Sequence, residues 1–418
     1  MPWRTTDLVT IREEFVQEAL SGRYPVAALC NAYGISERTG HKWLNRFREE
    51  GRPGLSDRSH AAHDIPHKMS SEVRREILAL REKHPTWGPK KLRVVLRRRL
   101  PEKHWPAASS IGELLRREGC IRPARRRNGA VGLPIDSGLT VAHAPNDVWS
   151  TDFKGQFRLG SGELCYPLTA QDLLSRYVIG TTALSSTAAV PVQIAFTRHF
   201  EEFGLPLVIR SDNGVPFASP SAIGRLSRLS VWWIRLGIRP ERIEPGEPQQ
   251  NGKHERMHKT LKAEATRPPG SSLTEQQNRF DRFRREYNDE RPHESLNQDT
   301  PAARYSASPR AFPACLPELV YPAHFEVRAV TDTGTINFRS RRFHLSSALT
   351  NQEIGLEQIE EDLWTVSFGP LTLGTLHYPS NTFMDEVRWK SNDSPQEEGK
   401  EAGDIARTAT EGLPILPV

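Results

Sequence analysis

Residues 148–157 read VWSTDFKGQF, and residues 207–217 read LVIRSDNGVPF. Both stretches contain a short apolar run of the kind that forms a buried strand, and each run reaches an aspartate, Asp152 in the first and Asp212 in the second. The Asn-Gly pair after Asp212 is a turn signal, which predicts that the second strand ends there with the carboxylate facing a site. The alternative is that Asp212 only caps this turn.

The pattern around these two stretches predicts an α/β domain over residues 139–310. Two more strand-type runs follow the first, at 164–174 and 175–184, and a helix-type stripe then covers 188–204. Three strands, a helix, a strand and a helix, in this order, are typical of a ribonuclease-H-like domain with a mixed sheet. We interpret RLSRLSVWWIRLG, residues 225–237, as an insert before the last helix.

That last helix carries a third acidic residue within PGEPQQNGKHERMHKTLKAE, residues 245–264. At 100° per residue, Glu255, Lys259 and Lys262 fall within about 60° of one another. The apolar residues of the helix fall on the opposite side, facing a core: Met257, Leu261 and Ala265. One helix face would then hold a carboxylate beside two ammonium groups, whereas the alternative is a solvent-exposed Glu–Lys pair.

Three carboxylates from separate elements suit the binding of divalent cations. Buried like charges that lie side by side must be protonated or neutralised by cations. Oxygen ligands select hard cations, so Asp152, Asp212 and Glu255 predict an Mg²⁺ site, with Mn²⁺ as the other candidate. Two such ions about 3.5–4 Å apart stabilise the attacking and leaving oxygens of phosphoryl transfer. We therefore expect these three residues to be both catalytic and metal-binding.

The amino-terminal third of the chain is strongly basic. Residues 1–130 carry 27 Lys and Arg against 15 Asp and Glu, whereas the net charge of all 418 residues is +6. This asymmetry predicts that a polyanion binds at this end of the chain. A solvated basic face is the alternative.

Residues 1–50 predict a helix-turn-helix DNA-binding domain of three short helices, with Ser36 as the N-cap of the third. The residues predicted to face outward and contact DNA are Arg38, His41 and Lys42. We interpret residues 51–67 as a linker, and its three histidines as solvated residues rather than metal ligands.

Residues 68–120 predict a second helical DNA-binding domain, with Ser109 or Ser110 capping its third helix. Residues 121–138 are basic, contain Pro and Gly, and show no periodicity, which indicates an extended linker. The candidate DNA contacts in these two segments are Lys90, Lys91, Arg125, Arg126 and Arg127.

The carboxyl-terminal part predicts a small β-barrel over residues 320–380 and a disordered acidic tail over residues 381–418. The four cysteines lie far apart without a CxxC pair, which indicates a reducing compartment and argues against a cysteine zinc site. No apolar run approaches the roughly 18 residues of a membrane span. We therefore expect a soluble, multidomain protein with no membrane partner.

Four motifs carry a family resemblance: WSTDFKG, IRSDNGVPF, PGEPQQNGKHERMHKTLK and FRREYNDERPHESLNQDTPA. They resemble the catalytic core of bacterial insertion-sequence transposases of the retroviral-integrase superfamily, and the resemblance extends over essentially the whole chain. It implies a triad of Asp152, Asp212 and Glu255 and an Mg²⁺-dependent reaction. Water would cleave the end of the element, and the freed 3′-hydroxyl would then attack target DNA.

The resemblance also implies the partners of the protein. Lys259 and Lys262 match positions that contact element-end DNA in the superfamily. Double-stranded DNA, as element ends and as target, is the expected partner, and a homo-multimer is expected in the DNA complex. The expected location is the bacterial cytoplasm, at the nucleoid.

One spacing departs from the family pattern. Asp212 and Glu255 are separated by 42 residues, more than is typical of the retroviral relatives. Glu247 would leave 34, but it lies in a turn and shares no face with the lysines, so we expect Glu255 to complete the triad. Asp172 is a weaker candidate, which we interpret as a structural residue near Arg176.

The helix also contains a competing motif, because residues 254–258, HERMH, match the H-E-x-x-H signature of zinc metalloproteases. The basic surroundings, the lack of a third ligand at short spacing and the DNA-binding units all argue against that interpretation. A DNA-binding regulator or an inactive transposase is the remaining alternative.

Overall fold

The computed structural model describes residues 7–58, 69–121, 138–220, 222–378, 380 and 382–389. It divides into two compact units, Met1–Ser70 and Ser71–Val418. None of the helices in these described ranges combines the length and the apolar character needed to cross a bilayer.

The first unit is a three-helix domain formed by α1 (Leu8–Leu20), α2 (Val26–Ala32) and α3 (Glu37–Glu50). The predicted cap is confirmed, because the Thr39 backbone N–H donates to the Ser36 side chain at 3.3 Å. Trp43 and Leu44 of α3 are buried against α1 and α2. Arg38, His41 and Lys42, which α3 does not use in this core, are exposed.

The predicted linker begins later than expected. Residues 52–55 form a short 3-10 helix whose Leu55 is fully buried in the core of this domain. The Arg12 guanidinium donates to the Leu55 carbonyl at 2.7 Å and also bonds the Asp57 carboxylate at 2.9 Å. The predicted linker histidines, His60, His63 and His67, lie outside the described residues.

The second unit opens with three more helices, α4 (Ser71–Lys83), α5 (Pro89–Arg99) and α6 (Ala108–Arg117). Their buried residues include Ile77, Leu92 and Ile111, so the three-helix prediction is confirmed. The predicted serine cap of α6 is wrong, since the helix begins at Ala108 and its N-cap is Ala107. Both serines lie inside the first turn.

A six-stranded mixed sheet forms the centre of the second unit. Its strands are β1 (Val148–Phe153), β2 (Phe157–Arg158), β3 (Leu164–Asp172), β4 (Val178–Leu184), β5 (Val208–Ser211) and β6 (Arg239–Arg242). The order is β2-β3-β1-β5-β6, with β4 also paired to β3. Strand β1 is antiparallel to β3 and parallel to β5, which confirms the predicted mixed sheet.

Helices cover both faces of this sheet. They are α7 (Ala189–Phe203), α8 (Arg228–Arg235), α9 (Gly252–Ala265) and α10 (Leu273–Arg285), the last continuing as a π-helical turn over residues 286–290. One core contains Trp149 and Ile179 with α7 and α8, and the other contains Cys165 and Val178 with α9 and α10. Because alternate residues of a strand point to opposite faces, the sheet is sandwiched between two helical layers.

The stretch that we interpret as an insert, residues 225–237, contains a packed helix. Six of the eight residues of helix α8 are buried. Its Leu229 and Trp233 pack into the sheet core, whereas Val231 and Ile234 pack against the carboxyl-terminal β-domain. Helix α8 therefore joins two cores.

The carboxyl-terminal domain is an open structure rather than a closed barrel. A five-stranded sheet has the order β13-β12-β11-β10-β7, and β8 pairs with β9 in a separate hairpin. The strands are β7 (Glu326–Ala329), β8 (Thr335–Phe338), β9 (Arg341–His344), β10 (Glu353–Glu360), β11 (Leu363–Phe368), β12 (Leu371–His377) and β13 (Thr382–Trp389). The predicted tail therefore contains one strand, β13, and its residues from 390 onward lie outside the described residues.

Candidate active site

The pairing of β1 with β5 brings Asp152 and Asp212 to the same level of the sheet. The two strands are parallel, and Val148 pairs with Val208 and Ser150 with Arg210. Each pair has the same offset of 60 residues, and Asp152 and Asp212 continue it just past the last paired residues. Two carboxylates that the sequence separates widely therefore lie at one edge of the sheet.

The turn after β5 uses part of the Asp212 carboxylate. The Gly214 backbone N–H donates to Asp212 Oδ1 at 3.0 Å, and the Asn213 side chain donates to the Ile243 carbonyl at 2.7 Å. The capping role that we set against a site role is thus present in the structure, through one carboxylate oxygen. The turn holds the Asp212 side chain close to its own backbone.

Helix α9 presents the predicted polar face to a cleft of about 370 Å³. The cleft is lined by Asp152, Phe153, Lys154, Glu255, His258, Lys259 and Lys262. Glu255 and the two helical lysines are exposed, whereas Met257, Leu261 and Ala265 are buried. The helix faces predicted from the sequence are confirmed.

The rival acidic residue, Glu247, lies elsewhere. It precedes a short 3-10 turn at residues 248–251, and its carboxylate accepts a hydrogen bond from Gln249 at 3.2 Å. It is not among the residues that line the cleft with Asp152. The geometry therefore favours Glu255.

The electrostatics of the cleft centre on Asp152. Burial, together with the negative charges of Asp212 and Glu255, raises the pKa of its carboxyl to about 7. The Phe153 backbone N–H and the Lys154 ammonium oppose this rise in pKa only in part. Asp212 and Glu255, from two other elements, therefore repel the Asp152 carboxylate, and a bound cation would relieve the repulsion.

The donor set fits a hard divalent cation, because it consists of carboxylate oxygens and carries excess negative charge. In the part of the chain that the structure describes, no three Asp, Glu, His or Cys side chains come close enough together to hold a metal ion. Binding would therefore require the three carboxylates to move closer together. Asp152, Asp212 and Glu255 are the residues that would hold the cation.

The two histidines of α9 lie under the cleft and meet at a threonine. His254 Nε2 and His258 Nε2 each lie 2.7 Å from Thr169 Oγ1, and His254 Nδ1 lies 2.6 Å from Ser150 Oγ. In an H-E-x-x-H zinc site both imidazoles converge on the metal. Here they converge on a threonine hydroxyl, so this geometry argues against the zinc metalloprotease interpretation.

These histidines are neutral residues of the protein interior. Burial lowers the pKa of His254 to about 3 and that of His258 to about 2. His254 is fully buried, so it cannot contact a DNA phosphate. Both side chains instead support the elements that carry the acidic residues.

Asp172 is a buried structural residue, as predicted. Its carboxylate accepts hydrogen bonds from the Ser175 backbone at 2.7 Å, the Ser175 hydroxyl at 2.6 Å and the Asn146 backbone at 2.8 Å. Burial raises the pKa of this carboxyl, and the hydrogen bonds from Ser175 and Asn146 oppose the rise. Its contacts are with the turn after β3 rather than with the cleft.

The predicted DNA contacts occupy different environments. On α3, Arg38, His41 and Lys42 are exposed, as predicted. On α5, the Lys90 ammonium lies 2.7 Å from the Glu294 carboxylate, and Lys91 is half-buried, with a pKa lowered to about 8 by burial and by the nearby charge of Arg291. The three remaining candidates, Arg125, Arg126 and Arg127, lie outside the described residues.

Three residues near the site were missed from the sequence: Ser150, Thr169 and Lys154. Ser150 lies two residues before Asp152 and therefore on the same face of β1. Thr169 pairs with Asp152 across the β1–β3 ladder. Polar residues inside apolar strands, at even spacing from a candidate ligand, were the available signal.

Comparison with known proteins identifies an integrase core domain. Integrase core domain models match residues 142–248 and 236–301. An uncharacterized 31.7 kDa protein of insertion element IS407 from Burkholderia multivorans is 29% identical over 201 residues, which is 47% of this chain and 69% of that protein. The chain therefore contains an integrase core domain and is similar to a protein of an insertion element.

Further similarities include the amino-terminal part of the chain. A helix-turn-helix domain model matches residues 11–63, and a homeodomain-like domain model matches residues 39–115. A 39.2 kDa protein of insertion element IS476 from Xanthomonas euvesicatoria is 25% identical over 65% of this chain and 75% of that protein. The catalytic core of HTLV-2 integrase, solved with magnesium, aligns with a TM-score of 0.32 and 16% identity over 40% of this chain and 100% of that core.

Proposed function

We propose that this protein is a transposase that cuts the ends of its insertion sequence and joins them to target DNA, with Asp152, Asp212 and Glu255 holding divalent cations. The observation that carries the proposal is the raised pKa of Asp152, to which the charges of Asp212 and Glu255 both contribute. Carboxylates that repel one another in an open cleft are arranged for a cation and not for stability. Mg²⁺ suits the oxygen donors, and Mn²⁺ would also be accepted.

Two displacements at phosphorus make up the reaction. In the first, water attacks the phosphodiester at the element end, a new P–O bond forms, and the bond to the 3′-oxygen breaks. In the second, this free 3′-hydroxyl attacks a target phosphodiester and displaces a target 3′-oxygen. A divalent cation in the site would supply stabilisation of the charge on the attacking and leaving oxygens.

The basic residues of the cleft would orient the DNA backbone. Lys259 and Lys262 are exposed beside Glu255, and Lys154 lines the same cleft. Ammonium groups neutralise phosphates and make binding depend steeply on salt. We assign these lysines to the element-end strand and the exposed face of α3 to double-stranded DNA farther from the reacting phosphate.

The chemistry also suggests how the protein assembles. Transposition joins two ends of one element, so two active sites must be brought together on DNA. We therefore propose a homo-multimer that forms on the DNA ends, in the bacterial cytoplasm at the nucleoid. Sedimentation of the protein with and without end DNA tests the assembly.

Incubation of the transposase with the DNA that flanks its own gene is the central test. We expect nicking at the element end with Mg²⁺ and none with EDTA. Glu255→Gln should abolish nicking, whereas the matched Glu247→Gln should retain it, because Glu247 lies outside the cleft. Full activity of Glu255→Gln would overturn the assignment.

The capping contact between Gly214 and Asp212 favours a second candidate, a protein that binds DNA without cutting it. Such a protein would retard end-containing DNA in a gel with the usual salt dependence. It would leave the DNA intact at every Mg²⁺ and Mn²⁺ concentration. The same incubation therefore separates the two functions.

A further inference from the structure

The cluster beneath the cleft joins the two elements that carry Asp152 and Glu255. The Thr169 hydroxyl donates to the Asp152 backbone carbonyl at 2.9 Å. The same oxygen is 2.7 Å from an imidazole nitrogen of His254 and 2.7 Å from one of His258. These histidines flank Glu255 on α9, at one residue before and three residues after it.

The proton count at Thr169 fixes the direction of these bonds. A hydroxyl has one proton to donate, and here it goes to the Asp152 carbonyl, which can only accept. We therefore assign the hydrogen atoms of both histidines to Nε2, so that each imidazole donates to the threonine oxygen. His254 Nδ1 then accepts from the Ser150 hydroxyl at 2.6 Å, a shorter contact than the 3.4 Å from this hydroxyl to the Gln171 carbonyl.

This arrangement joins two hydroxyls of the sheet to the two imidazoles of α9 in the protein interior. Ser150, Thr169, His254 and His258 are all at most 5% exposed, so any unmade bond would leave a polar group without water. Sliding or rotating α9 against β3 would break the two imidazole bonds to Thr169 together. The cluster therefore specifies one registration of the helix on the strand.

The same cluster reaches the carboxylate of Asp152. His258 Nδ1 lies 3.7 Å from Asp152 Oδ2, so the ring occupies the space beside this side chain without a hydrogen bond to it. The rings of His254 and His258 are nearly perpendicular, at 83°, with centroids 4.5 Å apart. Each ring thus limits the rotation of the other.

We propose that Thr169 is a positioning residue that, through His254 and His258, fixes the separation of the Asp152 and Glu255 carboxylates. The role of this separation in cation binding rests on the proposed function. The attachment of α9 to the sheet through Thr169, which we call the clamp, does not depend on that function. Loss of this clamp would disturb the two side chains proposed to bind metal, which lie on separate elements. Residues that orient metal ligands typically change metal affinity by about 10–100-fold when they are removed.

The chain offers a closely matched control. Thr181 is the cross-strand partner of Thr169 on β4 and is 3% exposed. Its hydroxyl has no hydrogen-bond partner among the residues that the structure describes. Thr169→Val and Thr181→Val therefore make the same change in the same sheet, and only the first removes a clamped hydroxyl. Thr169→Ser keeps that hydroxyl.

Two measurements on the full-length protein test the proposal. Hydrogen exchange of the amides in α9, without metal or DNA, should quicken in Thr169→Val and stay at the wild-type rate in Thr169→Ser and Thr181→Val. The Mg²⁺ concentration that half-saturates end nicking should rise about 10-fold or more in Thr169→Val alone. Calorimetric titration with Mn²⁺ provides the same comparison without nicking.

The outcomes are distinct. Unchanged exchange in Thr169→Val would overturn the clamp, and equal damage in Thr169→Ser would assign the effect to packing of the methyl group. A wild-type protein that neither nicks DNA nor binds Mn²⁺ would overturn the proposed function, while the exchange measurement still decides the clamp. If Thr169→Val does not fold, His258→Gln, which keeps a donor, is compared with His258→Leu, which does not.

Discussion

The two ends of the β1–β3 pair each hold a half-buried or buried aspartate. The two carboxylates have opposite surroundings. Asp172, at the end of β3, accepts three hydrogen bonds from Ser175 and Asn146. Asp152, on β1, faces the charges of Asp212 and Glu255, and its nearest imidazole nitrogen is 3.7 Å away. Burial raises the pKa of both groups, but only the second rise is increased by other carboxylates.

The difference shows how a structural carboxylate is distinguished from a functional one. Burial alone does not separate them, because a buried charge is tolerated wherever enough donors surround it. The Asp172 carboxylate is satisfied by the hydrogen bonds that it accepts. The Asp152 carboxylate is left with a free-energy cost that a cation would remove, which is the condition expected at a ligand site.

The largest expected effect is on activity. Asp152→Asn should lower the rate of end nicking by about a thousandfold or more, because a ligand to the charge-stabilising cation contributes several kcal/mol to the barrier. Single-turnover nicking of labelled end DNA measures it. Binding to the same DNA in a gel shift should stay within a few-fold of wild type, and a lost shift would point to misfolding instead.

The next effect concerns stability and pH in metal-free buffer. The folded-state pKa of Asp152, about 7, lies above its ordinary value of 3.8, so folding favours the protonated form. Its ionisation therefore destabilises the fold as the pH rises from about 4 to about 7. Asparagine does not ionise, so Asp152→Asn should be more stable than wild type at pH 8 by on the order of 2–4 kcal/mol.

Denaturant unfolding at several pH values tests this sign. The gain of Asp152→Asn over wild type should disappear well below pH 3.8, where the wild-type carboxyl is protonated in both states. Adding Mg²⁺ at pH 8 should stabilise the wild type and leave the variant unchanged. A variant that is less stable than wild type at pH 8 would mean that Asp152 is satisfied in the same way as Asp172.

At the other end of the pair, the expected effect is smaller and falls on stability. Asp172→Asn replaces one acceptor oxygen with an amide that meets the backbone N–H groups of Asn146 or Ser175. Two donors that face each other in a buried site should cost about 1–3 kcal/mol. The free energy of unfolding measures it, and nicking per folded molecule, assayed well below the melting temperature, should remain within a few-fold of wild type.

Much of the site could be predicted from the sequence because its signals are local. Strand-type runs ending in Asp152 and Asp212, and the shared helix face of Glu255 and Lys259, depend only on the period of each element. The strand pairing then placed the two aspartates at one level. The choice of Glu255 over Glu247 also followed from a local signal, since Glu255 lies in a helix and Glu247 in a turn.

Other features depend on contacts between distant segments and could not be predicted this way. Helix α8 bridges the sheet core and the β-domain, and which of its apolar side chains enters which core depends on segments that are distant in the chain. Closure of the carboxyl-terminal strands is decided by pairing between edges, which alternation alone does not specify. The meeting of His254 with Thr169 joins residues that are 85 positions apart.

The smallest change tests whether hydrogen bonds truly distinguish the two aspartates. Ser175→Ala removes one donor to Asp172, the hydroxyl at 2.6 Å, and leaves the backbone donors of Ser175 and Asn146 in place. One buried hydrogen bond is worth about 0.5–1.5 kcal/mol, so the free energy of unfolding should fall by that amount at neutral pH. Below the pKa of Asp172 the loss should shrink, because a protonated carboxyl depends less on its donors. A loss that is the same at pH 3 and pH 7 would show that Ser175 acts through the shape of the turn. Hydrogen bonding to the carboxylate would then no longer distinguish Asp172 from Asp152.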